Sequence, residues 1–235
     1  MKNIFYTTFI VFCSIYFSAN AQWVQTNGPY GRTVNCFAVQ GSNIFAGTYE
    51  FGVYRSSDNG EHWLAVNNGL TDNTVISFLV TGNSIFAGTD NGLFRSTDSG
   101  DNWIAVNTGF PGPPWPASIK ALAVIGTKLF AADFFFNGGG VFISTDNGTS
   151  WTNTNLTNPF TEALAVSGSN LFAGTNGYGI FISTDNGNQW TNVNNGLTDT
   201  VVSALAVNGN NIFACLLYTS PSPRDRTRSR MPSSA

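Results

Sequence analysis

Four carboxylates stand at one position of an eight-residue pattern, Ser-x-Asp-x-Gly-x-x-Trp, that runs from Ser56 to Trp63, Ser96 to Trp103, Ser144 to Trp151 and Ser183 to Trp190. Acid/base work, calcium coordination and the capping of a turn are all open to Asp58, Asp98, Asp146 and Asp185. Identical acids on four equivalent turns point to architecture. The Asp side chain accepts backbone N–H bonds across a tight turn, and Gly60, Gly100, Gly148 or Gly187 takes a positive φ without steric cost. Each turn offers one or two carboxylates, too few hard oxygens for a good calcium site. No metal and no cofactor is therefore expected. Each tryptophan then opens a strand and packs between units.

These turns must be carried by a repeated element, because their tryptophans are 40, 48 and 39 residues apart and Trp23 lies another 40 before Trp63. Within each repeat, four short stretches of strand-like alternation are separated by Gly, Asn and Asp turns, the pattern of an antiparallel meander. The clearest set is Ala163 to Val166, Asn170 to Gly174, Gly179 to Ser183 and Trp190 to Asn194. The same four recur as Asn35 to Val39, Ile44 to Gly47, Gly52 to Arg55 and Trp63 to Val66. Two further sets centre on Phe78, Phe86, Phe94 and Trp103, and on Leu122, Phe130, Phe142 and Trp151. Four-stranded units of about 40 residues are propeller blades, whose sheets bury both faces against neighbours. The expected fold is all-β: a β-propeller fragment with four complete blades, an N-terminal closing strand at Gln22 to Asn27, and a fifth blade that stops after Val201 to Val207 and Asn211 to Ala214.

The eight-residue pattern resembles the Asp-box, or BNR, repeat of sialidases, sortilin-type receptors, photosystem-assembly propellers and xyloglucan-cleaving glycosidases. The resemblance runs from Trp23 to Trp190. It implies that each box sits on the outer hairpin between third and fourth strands, away from the central site. It does not imply a sialidase. That chemistry needs an arginine cluster for a carboxylate, a Tyr nucleophile with a Glu partner and an acid/base Asp. Tyr30-Gly31-Arg32 does not match the family's Arg-Ile-Pro start. Arg55 and Arg95 share one repeat position, filled by Ile143 and Ile182 elsewhere, so they form no central cluster.

In a propeller the loops joining second to third strand, and fourth strand to the next blade, emerge on one face, where loops carry function on a rigid scaffold. The third blade enlarges both. Thr108 to Pro116 includes Phe110 and Trp115, and Asp133 to Gly140 includes Phe134, Phe135 and Phe136. Tyr49, Phe51, Phe160 and Tyr178 belong to the same face, with Glu50, Asp72, Asp90, Asp133 and Asp199 among them. Exposed aromatics beside carboxylates stack sugars or grip a peptide. The candidate ligand-binding residues are Trp115, Phe134, Phe135, Phe136, Tyr49, Tyr178, Asp133 and Asp72. The competing reading is that the Pro-rich insert folds over its own apolar tip. His62, on the outer turn, reads as solvated.

The chain ends differ from its repeats. Residues 1–21 read as a signal peptide, with Lys2, an apolar run from Ile4 to Phe17, and a cleavage site at Ala19-Asn20-Ala21. The run is too short for a lasting transmembrane helix. Residues 215–235 leave the repeat pattern and resemble translated sequencing-adapter DNA, a non-native tail. The span 22–214 keeps Arg32, Arg55, Arg95, Lys120 and Lys128 against twelve acids, a net charge near −7. Such a surface repels phosphate backbones, which excludes nucleic acid as a partner. Cys36 is the only native cysteine of that span and aligns with Ser77, Ala121, Ala163 and Ala204, so it reads as a small buried residue. The expected protein is a secreted or cell-surface, non-catalytic binding or scaffold module for an extracellular glycan or protein. The alternative is a propeller glycoside hydrolase acting on a polysaccharide.

Overall fold

The computed structural model describes residues 26–29, 31–112, 116–134, 139–156 and 160–217, and every regular element among them is a strand. Four sheets have four strands each. Blade 1 comprises β1 (Val34–Gln40), β2 (Asn43–Thr48), β3 (Val53–Ser56) and β4 (Leu64–Ala65). Blade 2 comprises β5 (Val75–Thr81), β6 (Ser84–Thr89), β7 (Gly92–Ser96) and β8 (Ile104–Ala105). Blade 3 comprises β9 (Ile119–Ile125), β10 (Lys128–Asp133), β11 (Gly140–Ser144) and β12 (Thr152–Asn153). Blade 4 comprises β13 (Thr161–Ser167), β14 (Asn170–Thr175), β15 (Gly179–Ser183) and β16 (Thr191–Asn192). A fifth sheet pairs β17 (Val202–Asn208) with β18 (Asn211–Leu216). All strands pair antiparallel with their chain neighbours, so the chain is an all-β, propeller-type stack of meanders.

The register repeats from blade to blade. Cys36 faces Gly47, Ser77 faces Gly88, Ala121 faces Ala132, Ala163 faces Gly174 and Ala204 faces Cys215. Cys36 is half-buried, and burial pushes its thiol up to about 12, so it packs as a small apolar group. The strand β18 runs through Cys215 to Leu216, two residues beyond the boundary expected at Ala214, because ladder pairing is a backbone property that survives a change of side-chain pattern. Residues 218–235 and 1–25, with the expected signal peptide and Trp23, lie outside the described residues.

The core lies between blades. Phe45, Val53 and Val66 of blade 1 pack against Val75, Ile85, Phe94 and Trp103 of blade 2. Phe86, Leu93 and Val106 meet Ile119, Leu129, Phe142 and Trp151 in the same way, and Phe130 and Val141 meet Leu171 and Ala173. Blades 2 and 3 are thus covered on both faces, as the apolar runs in their strands require. The fourth strands are shorter than the four or five residues expected. Backbone bonds from Val66, Val106, Thr154 and Val193 to Val53, Leu93, Val141 and Ile180 extend their pairing with the third strands. The Trp103 and Trp151 amides donate instead to Asn68 O and Thr108 O of the preceding connector, 2.8 Å away in both cases. Both indoles are buried, and Trp103 Nε1 donates to Val66 O at 2.8 Å across the blade boundary.

Candidate functional site

The eight-residue turns join third to fourth strand in all four complete blades and have one construction. Asp58, Asp98, Asp146 and Asp185 each accept a bond through Oδ1 from the amide four residues on (His62, Asn102, Ser150 and Gln189), 2.9 Å in every case. The serine two residues before the acid donates to the same oxygen and accepts from the amide of Gly60, Gly100, Gly148 or Gly187. Both carboxylate and hydroxyl are therefore consumed in closing the turn. The preceding residues Asn59, Ser99, Asn147 and Asn186 also take a positive φ, between 57° and 62°, which the sequence pattern did not announce. Asn is the side chain that tolerates this best, and Ser99 is the exception.

These bonds hold the carboxylates below their usual range. The His62 amide and ring lower Asp58 to about 2, and the Asn102 side chain and amide lower Asp98 to about 2. Ser150, through hydroxyl and amide, lowers Asp146, and the Gln189 amide lowers Asp185. Depressed folded-state pKa values favour the folded state fully above the unfolded carboxylate value near ~3.9, and that gain is lost as pH falls toward 2. Thermal melts between roughly pH 5 and pH 2 should therefore show a falling Tm. Asp98→Asn should lower the Tm at neutral pH and flatten its acid decline.

His62 is exposed as expected, yet its Nδ1 lies 2.7 Å from Asp58 Oδ2. Asp58, Glu61 and His62 bring possible ligand atoms within 4.8 Å of one another at the surface. Arg55 and Arg95 are struts between blades. Arg55 Nη1 donates to Ser99 O and Asp101 Oδ1 of the next turn, both at 2.7 Å, and Arg95 Nη1 donates to Asn147 O at 2.8 Å.

The other end of the stack carries the loops between second and third strands, tied to the segments before each first strand. Tyr49 N donates to Thr33 O, Gly52 N to Asn73 O, Asp90 N to Thr74 O, Phe134 N to Ser118 O, and Asn176 N to Phe160 O. These bonds place Tyr49, Asp72, Phe134, Phe160 and Tyr178 on one rim. Tyr49, Phe51 and Tyr178 are exposed by 51, 38 and 46%. The Arg32 guanidinium lies 3.5 Å from the centre of the Phe51 ring, and Phe134 meets Phe160 edge to face at 5.2 Å. Lys120 Nζ bridges blades, 3.4 Å from Asp90 Oδ1, while Ser118 Oγ donates to the same oxygen at 2.9 Å. Outside the eight-residue turns, Glu50 (φ 67°) and Phe160 (φ 70°) are the only non-glycine residues with positive φ among the described residues. Both lie on this rim.

Three expectations about the rim change. Asp133 is fully buried and accepts from Ser118 N at 2.9 Å, so it braces the loop instead of facing solvent. Asp72 accepts from Thr74 N and from Asn91 Nδ2, joining two loops. Phe110 stacks on Trp151 at 5.1 Å and lies edge-on to Phe142, so this end of the Pro-rich insert folds into the core. A cleft of about 160 Å³ remains between Asn91, Asn107, Phe110 and Pro116. Trp115, Phe135 and Phe136 lie outside the described residues.

Sequence reasoning missed the asparagine four residues after each tryptophan. Asn67, Asn107 and Asn194 accept through Oδ1 from Val53, Leu93 and Ile180 N, each at 2.7 Å. Asn67 and Asn194 also donate to Phe51 O and Tyr178 O, fixing the loops that hold rim aromatics. The Trp-x-x-x-Asn spacing was the available signal.

Stacked four-stranded meanders joined by buried aromatics define a β-propeller domain. The profile of the DUF6242 beta propeller domain matches residues 111–225. Among solved structures, the extracellular domain of BT4673 from B. thetaiotaomicron is similar at a TM-score of 0.68 and 18% identity, over 81% of this chain and 27% of that one. YCF48 bound to D1 peptide is similar at 0.58 and 19%, over 78 and 60%. The GH74 xyloglucanase from Xanthomonas campestris is similar at 0.57 and 18%, over 76 and 34%. The chain thus spans about a quarter of the length of the first of these. No curated protein sequence matches it significantly. Among the described residues, no helix is long and apolar enough to cross a membrane.

Proposed function

We propose that the chain is a non-catalytic, extracellular β-propeller module that binds a glycan or protein ligand on the rim opposite the eight-residue turns. The observation that carries this reading is the set of exposed rings, Tyr49, Phe51 and Tyr178, held on braced loops beside Glu50 and Asp72. Flat apolar faces with nearby polar groups stack on pyranose rings or clasp extended peptide. Similar folds include an extracellular domain and a protein solved with a peptide, which supports a ligand outside the cell.

The hydrolase alternative, raised by likeness to a xyloglucanase, calls for two carboxylates facing one cleft. Asp72 and Asp133, the acids nearest to that role, act as loop braces, which favours binding. Residues 1–21 as a secretion signal and Trp115, Phe135 and Phe136 as further contacts belong to the same proposal. Glycan and peptide arrays probed with the wild type and with Tyr49→Ala/Tyr178→Ala test it. The wild type should retain a discrete ligand set and the double variant should lose at least about tenfold in affinity. Equal retention by both overturns the rim site.

A further inference from the structure

The blade 1 turn between β3 and β4 carries three groups that can hold a metal ion. Asp58 Oδ1 closes the turn, accepting from the His62 amide at 2.9 Å and from Ser56 Oγ at 2.8 Å. Asp58 Oδ2 takes no part in that closure and lies 2.7 Å from His62 Nδ1. The Glu61 carboxylate joins them, one ligand atom from each residue lying within 4.8 Å of the others. Glu61 and His62 correspond to Asp101 and Asn102 in blade 2, to Thr149 and Ser150 in blade 3, and to Asn188 and Gln189 in blade 4. None of those pairs supplies a ring nitrogen, and no second trio of this kind occurs among the described residues.

Exposure at this place belongs to the turn itself. Asp101, Asn102, Thr149, Ser150, Asn188 and Gln189 are all exposed, although a blade stands before each of their turns. His62, with 83% of its side chain exposed, holds the same outward position. The backbone that presents the donors is fixed before any ion arrives. Its closing bonds use Ser56 Oγ, Asp58 Oδ1 and amides, and neither the imidazole nor the Glu61 carboxylate. A backbone organised in advance lowers the entropic cost of gathering ligands.

Donor chemistry selects the ion. Calcium and magnesium take about six or more oxygens, which two carboxylates do not provide, whereas an imidazole with two carboxylates suits zinc and its first-row neighbours. We propose that Asp58, Glu61 and His62 form a surface site for a divalent transition metal of the zinc class, with a coordination position open to water or to a donor from another molecule. An ion about 2.0–2.2 Å from each donor draws them to within roughly 3–4 Å of one another, and rotation of the exposed Glu61 side chain covers the difference. Three protein ligands and an open position distinguish such a site from the closed four-ligand sites that hold a fold together. The ion adds to the turn without being needed by it, since the turns of blades 2 to 4 close by the same bonds without such a trio.

His62 is the only histidine of the chain, so its ring protons report on this site alone in NMR spectra. Zn²⁺ titrated into the full chain, prepared without a polyhistidine tag, should shift the His62 ring signals and saturate them at one ion per chain. Mg²⁺ and Ca²⁺ at the same concentrations should leave them in place. Glu61→Asn and His62→Gln copy Asn188 and Gln189 of the blade 4 turn, so both variants keep the fold, which a melting temperature close to that of the wild type verifies. Glu61→Asn should raise the Zn²⁺ needed for half-saturation of the ring signals at least about tenfold, because the third donor acts at high effective concentration. His62→Gln should remove one equivalent of Zn²⁺ from a calorimetric titration. Ring signals indifferent to Zn²⁺, equal midpoints with and without Glu61, as the imidazole alone would give, or an undiminished calorimetric stoichiometry overturns the site.

Discussion

Replacing Gly109 with alanine is expected to destabilise the fold by more than about 3 kcal/mol, measured by urea denaturation. Gly109 has a φ of 95°, and a Cβ there would run into the backbone carbonyl of Trp151. Rotamer changes cannot relieve a collision with backbone, so the connector must withdraw from the next blade. That movement breaks the bond from Trp151 N to Thr108 O and loosens the stack of Phe110 on the indole. Gly126→Ala supplies the control: its φ is 61° and nothing lies within 4 Å of the added carbon. The control should lose only the ~1–2 kcal/mol of a left-handed alanine. The difference between the two variants isolates the close approach of connector to blade.

Phe86→Ala should cost about 3–5 kcal/mol and change the shape of the unfolding transition. The ring is fully buried between blades 2 and 3, among Leu93, Val106, Ile119, Leu129 and Trp151. Its removal leaves a cavity that rigid strands on both sides fill poorly. Stability in a repeat stack is a sum of unit terms and nearest-neighbour interface terms. Weakening one interface therefore uncouples the blades before it from those after it. A two-step denaturation curve monitored by tryptophan fluorescence is the expected result, where the unmodified chain gives one step.

The blade plan was legible because it is periodic. Alternation, a recurring Asp-x-Gly turn and tryptophans about 40 residues apart placed β15 at Gly179–Ser183 to the residue, and other first, second and third strands within about two residues. Features set by contact between blades were less legible. Arg55 and Arg95 hold the same repeat position, but nothing in a one-dimensional pattern says that they reach the next turn's carbonyls. Asp133 has the sequence surroundings of a rim acid, and only the approach of Ser118 N reveals it as a buried brace. Phe110 and Phe134 both sit in insertions rich in Gly, Pro or Phe. One folds into the core and the other pairs with Phe160 on the rim, an outcome decided by which partner lies within reach.

The proposed function divides labour between the two ends of the stack: turns that build, and a rim proposed to bind. Stability and array binding measured together for Asp146→Ala and for Tyr49→Ala/Tyr178→Ala test that division most directly. Asp146→Ala removes the acceptor of the Ser144, Thr149 and Ser150 bonds, so it should lower the Tm and leave the ligand set intact at temperatures where the fold persists. The tyrosine pair should keep its Tm and lose the ligand. A folded Asp146→Ala protein that no longer binds, or a tyrosine variant that binds as the wild type does, contradicts it.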